Sequence, residues 1–171
     1  LVHFTILRPP EKQDGTPTGE LSLIAFPTRE LFQQKIGDFD LIIFDRYSNQ
    51  TYLPASYFQN MVKYVREGGQ ILFAAGPELL NRSGLMSTPL RTIIPAELGT
   101  QPLEQVFRPR ITTLGDRHPV TRQLEGARPV AGTSGDEPGW APWFRQLPAR
   151  ARDGQVIMTG AAQNPLLVLK R

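Results

Sequence analysis

The sequence predicts an α/β domain with a mostly parallel central sheet between helices, and three segments predict it. "FDLIIFDRY" (residues 39–47) holds four consecutive apolar residues, Leu41 to Phe44, set between aspartates. "LPASYFQNMVKYVREGG" (53–69) carries a helical apolar stripe, and "QILFAAG" (70–76) is a second apolar run. A strand that is apolar on both faces suits a parallel sheet covered on each side. Strand, helix and strand in that order make a right-handed crossover unit, whose two strands are parallel neighbours.

The helix in this unit has the clearest signature. Tyr57, Phe58, Met61, Val62 and Val65 recur at one, three and four residues and form one apolar face. Pro54 suits the first turn, where its missing N–H costs nothing. Gly68 supplies the left-handed stop. Upstream, Val2 to Leu7 reads as a strand, and "RPPEKQDGTPTGE" as a polar loop. "LSLIAFP" reads as a strand or the packed approach to a helix. "TRELFQQKIG" (28–37) reads as a short helix, with Thr28 as cap and Gly37 as stop.

Beyond Pro77 the periodicity weakens. "ELLNRSGLMSTPLRTIIP" (78–95) has room for one short helix and a turn. "LEQVFRPRITTLG" (103–115) reads as two short strands, or one bent strand, around Pro109. "HPVTRQL" (118–124) reads as a short helix opened by its proline, and residues 126–143 as a loop. "GQVIMTG" and "PLLVLKR" read as a closing pair of strands joined by "AAQN". The chain starts on one apolar strand, without methionine, and ends just past another. That is the pattern expected of a domain excised from a longer chain.

Composition narrows the chemistry. The 171 residues are 40% hydrophobic and 20% charged, with a formal charge of +3, 16 prolines and 15 glycines. That is enough chain for one substantial core. The basic residues form no long run. Their densest clusters, "FRPR" and "ARAR", lack the interleaved aromatics of a single-strand binder, so nucleic acid is not an expected partner. There is no cysteine, which removes disulfides, thiolate metal sites and any cysteine nucleophile. With only His3 and His118, and Asp116 near the latter, no metal site is expected. No apolar run reaches the roughly 18 residues of a membrane span. A phosphate-binding loop and a dinucleotide fingerprint are both missing, and Gly68 and Gly69 read as a helix stop. Ser83 or Ser134 could join His118 in a hydrolytic triad. Neither, however, lies in the Gly-x-Ser-x-Gly turn that exposes a nucleophile.

Two groups of candidate residues remain. Asp45 and Arg46 end a strand, where open α/β sheets place ligands, and with Gly76, Glu78 and His118 they form a candidate ligand or partner site. The alternative reading has Asp45 capping a local turn and Arg46 paired with it or with an acidic neighbour. Trp140 and Trp143 either cover a core edge or form an aromatic patch for a partner.

The run from Phe39 to Pro77 resembles the class I glutamine amidotransferase-like domains of large bacterial membrane proteins. The matching features are Asp45 at a strand end, the helix from Pro54, Tyr64 to Gly69, and Gly76-Pro77. "RHPVTRQL" (117–124) and "NPLLVLKR" (164–171) extend the resemblance over nearly the whole chain. It implies a single domain over residues 1–171 with a three-layer, flavodoxin-like fold. The family's catalytic cysteine would fall at about Ala75, where nothing is nucleophilic, and His118-Pro119 is followed by Val120 instead of the family's glutamate. The resemblance therefore implies a non-catalytic binding or scaffolding module with no cofactor. It would belong to a membrane-anchored bacterial protein, with this domain on the periplasmic side and other domains or subunits as its partners. The alternative is a small-molecule-binding or hydrolytic domain with a repurposed site at the carboxyl edge of the sheet.

Overall fold

A hydrogen-bonded helix end and a glycine explain how the crossover unit closes. In the computed structural model, which describes residues 28–47, 53–80, 84–129 and 137–171, the stripe of Tyr57, Phe58, Met61 and Val62 lies on helix α1 (Ala55–Arg66) and is buried. Pro54 sits just before the first turn in an extended conformation, and its carbonyl accepts from Tyr57 N–H. At the other end Gly68 takes φ +105°. Its N–H bonds to Val65 O, and Gly69 N–H bonds to Tyr64 O, so carbonyls of the last helical turn are satisfied. A Cβ on Gly69 would overlap the Tyr64 ring, so this position needs glycine. The Tyr64 hydroxyl donates to Phe39 O at 2.8 Å and accepts from Gln70 N–H at 3.2 Å. One side chain thus ties the end of α1 to the starts of both flanking strands.

Those strands are β1 (Leu41–Asp45) and β2 (Gln70–Ala74), parallel and in register from Leu41 opposite Gln70 to Asp45 opposite Ala74. Because side chains alternate across a strand, Ile42, Phe44, Ile71 and Phe73 turn toward α1. Phe44 and Phe73 stack with ring centroids 5.6 Å apart. Leu53, Leu79, Leu85 and Leu90 complete this core. The opposite face is open: Leu41, Ile43 and Leu72 are exposed, Ile43 to 58%.

The remaining sheets are small and antiparallel, and here the predicted architecture is overturned. β3 (Ala96–Leu98) pairs with β7 (Ala149–Ala151), and β4 (Leu103–Phe107) with β6 (Trp143–Gln146). β5 (Arg110–Ile111), β8 (Gln155–Thr159) and β9 (Pro165–Leu169) form a three-stranded sheet in the order β5-β8-β9. Among the described residues the parallel sheet has two strands, so the protein is not a three-layer, flavodoxin-like domain with a mostly parallel sheet. The physical reason lies in the connections. A parallel neighbour needs a long crossover, usually helical, whereas antiparallel strands can be joined by a tight turn. Among the described residues past Pro77 the helical pieces are single short turns at 77–80, 85–87, 89–92, 125–127 and 161–163, together with the five-residue α2 (Thr113–Arg117).

Local readings fared unevenly. "LEQVFRPRITTLG" does make two strands, β4 and β5, on either side of Arg108 and Pro109, and "GQVIMTG" pairs with "PLLVLKR". The helix placed at "HPVTRQL" forms earlier, as α2. Thr112 caps it by accepting from Gly115 N–H, and His118 ends it in an extended conformation ahead of Pro119. The helix placed at 28–37 divides into a wide π-type turn at Glu30–Gln34 and a tight turn at Ile36–Asp38, so Gly37 does not stop it. "APWFRQL", read partly as loop, contributes β6. The readings for Val2 to Leu7, "LSLIAFP", Ser83 and Ser134 fall outside the described residues.

Two buried polar side chains fasten the antiparallel half. Gln146 is 5% exposed. Its amide donates to Asn164 O and Pro165 O and accepts from Ala161 N–H, pinning β6 to the turn between β8 and β9. Thr121, also buried, donates its hydroxyl to Gly115 O. Gly115 lies so close to the Ile157 carbonyl that a Cβ would overlap it.

Candidate functional site

The carboxyl edge of the parallel pair is built by two successive turns. Leaving β1, Arg46 extends the ladder by one bond, its N–H donating to Ala74 O at 3.0 Å. It then takes φ +46°, a left-handed conformation that costs a residue with a Cβ roughly 1 kcal/mol or more. Leaving β2, the chain passes Ala75 and Gly76 into the short turn Pro77–Leu80, closed by Leu79 N–H to Gly76 O. The guanidinium of Arg46 reaches across to this second turn, and Nη2 stands 2.5 Å from Glu78 Oε1.

Gly76 lies beneath this ion pair and is buried. A Cβ there would overlap Glu78 Oε2 and come within 3.2 Å of Arg46 Nε. Glu78 Oε2 is buried and has no hydrogen-bond partner among the described residues. Electrostatically the pair is mutual. The hydrogen bond from Arg46 holds the Glu78 carboxyl below its usual range against the opposing effect of burial, and Glu78 raises the affinity of Arg46 for its proton.

Three of the five predicted site residues therefore meet, Arg46, Gly76 and Glu78, and the charge of the adjoining Asp45 acts on Arg46. The reading of Arg46 as the partner of an acidic neighbour describes the contact it makes. Asp45 shares the open face of β1 with Leu41 and Ile43. His118 is placed elsewhere. It ends α2, which packs on β5 and β8, and its Nδ1 accepts from Val120 N–H at 3.3 Å. Ala75, at the expected nucleophile position, is exposed and carries only a methyl group. The chain has no cysteine, so it holds no thiolate for glutaminase chemistry. No cluster of three metal-ligating side chains occurs among the described residues.

The two tryptophans play different parts. Trp140 is half-buried over Gly126, donates its indole N–H to Pro109 O at 2.7 Å, and accepts from Arg108 at its backbone carbonyl. It is a brace. Trp143 lies on β6, edge-on to Phe107 and 47% exposed, with Phe144 beside it 65% exposed and Val106 on the paired strand also exposed. Sequence reasoning named Trp143 and missed Phe144 and Val106. It also missed Leu41, Ile43 and Leu72, because a continuous apolar run gives no sign of which face is left open. A shallow groove runs along the C-terminal half of α1, lined by Gln59, Lys63, Arg66, Glu67 and Thr92.

No helix among the described residues is long and apolar enough to cross a membrane. Comparison with protein-family models, with curated proteins and with solved structures finds no match to this chain.

Proposed function

We propose that this protein is a non-catalytic binding or scaffolding module. The observation that carries the reading is the state of the turn after β2, where the Arg46–Glu78 pair closes over Gly76 and Ala75 offers no reactive group. A working enzyme of this layout mounts its nucleophile at that turn and keeps a cavity beside it. Here the ligand edge is occupied by the protein's own side chains. Exposed apolar side chains, Leu41, Ile43 and Leu72 on the parallel pair and Trp143, Phe144 and Val106 on the β4–β6 pair, supply the kind of area through which proteins associate.

The likeness to glutamine amidotransferase-like domains rests on the β1-α1-β2 unit and the elbow position, and does not extend to the sheet as a whole. In that reading the domain serves a bacterial membrane protein from its periplasmic side, and its partners are other domains or subunits of the same assembly, not nucleic acid. A second reading, a small-molecule site at Asp45, Arg46 and Glu78, is favoured by the unpartnered Glu78 Oε2, which has room for one more donor in its hydrogen-bonding capacity.

Thermal-shift screening against a metabolite library separates the two. The scaffold reading expects no reproducible shift, whereas a stabilisation of about 5 °C or more by one small molecule, abolished by Glu78→Ala, overturns it.

A further inference from the structure

We draw no further inference here: the strongest candidate, the open apolar face of the parallel β1–β2 pair at Leu41, Ile43 and Leu72, already belongs to the proposed binding role, and nothing in the structure shows what covers it.

Discussion

Arg46 Nη2 meets Glu78 Oε1 at 2.5 Å, joining the turns that end the two parallel strands. The contact spans 32 residues of sequence and draws the exits of β1 and β2 together directly above a buried glycine. It is also wet: the Arg46 side chain is 67% exposed, so solvent screens the attraction. Its consequence is steric more than energetic, since it occupies the edge at which an open α/β sheet would receive a ligand.

The pair gives acid stability a definite sign. The carboxyl of Glu78 is held below its ordinary value of 4.5, so the folded state binds its proton less readily than the unfolded chain does. The stabilisation is fully present above 4.5 and is lost as pH falls through the lowered folded value. Asp153, lowered chiefly by its hydrogen bond from Lys170, contributes in the same direction. Glu78→Gln is expected to lower Tm at pH 7 by no more than about 2 °C and to flatten the melting curve's dependence on pH below 4.5. Thermal melts of both proteins from pH 3 to pH 7 check this, and parallel curves throughout would contradict it.

Gly76→Ala tests the steric part. The added methyl meets the end of a flexible side chain, so the carboxylate can swing away at the expense of its bond to Arg46. The expected loss is about 0.5–1 kcal/mol, much smaller than for a clash with backbone. In a Glu78→Ala background the same substitution is expected to be neutral. A double-mutant cycle by urea denaturation measures the difference.

Gly115→Ala is the contrasting case. Its methyl would overlap the Ile157 carbonyl, an atom fixed in β8, and would also press on Ile111. Neither can turn aside without moving strands, and Gly115 O is already held by Thr121. A loss of about 2–3 kcal/mol is expected in the same denaturation experiment.

How much of this was legible follows from the range of each signal. Helix α1 was readable because its stripe, its proline entry and its glycine exit lie within one window of sequence. The parallel pairing of β1 with β2 followed from the length of the helical crossover between them. The meeting of Arg46, Gly76 and Glu78 was legible for the same reason, since parallel neighbours bring their exits to one edge. The open face at Ile43 was not. An apolar run of "LIIF" is identical whether one face or both are covered, and only the packing partner decides. β6 was hidden because Trp143 to Gln146 follows a proline-rich loop and bonds to β4, some forty residues earlier. His118 was assigned to the site by its chemistry, while Pro119 ends α2 and directs it to the other half of the protein.

The helix-covered and open sides of the parallel pair are expected to differ in their sensitivity to substitution. Met61, fully buried in the core cluster that holds Phe44 and Phe58, leaves a cavity when cut to alanine, costing about 2–5 kcal/mol. Ile43→Ser removes a side chain that is already mostly in water and is expected to change stability by less than about 0.5 kcal/mol. Equal destabilisation by both, measured in urea, would mean that the outer face is a core surface and not a binding face.

The antiparallel half is expected to depend on one amide. Gln146 satisfies the carbonyls of Asn164 and Pro165 and the N–H of Ala161, all at the turn that joins β8 to β9, and Gly160 makes room for it. Gln146→Leu keeps the volume but leaves the Ala161 N–H buried without a partner and strips one donor from each carbonyl. An unsatisfied buried group costs about 1–3 kcal/mol, so the substitution is expected to destabilise despite its added apolar surface. Gln146→Glu retains an acceptor for Ala161 N–H but loses both donors, and buries a charge unless it binds a proton. Its stability is therefore expected to rise as pH is lowered toward 5, the reverse of the Glu78 effect. Amide hydrogen exchange at Ala161, faster in Gln146→Leu than in Gln146→Glu, would place the defect at that N–H.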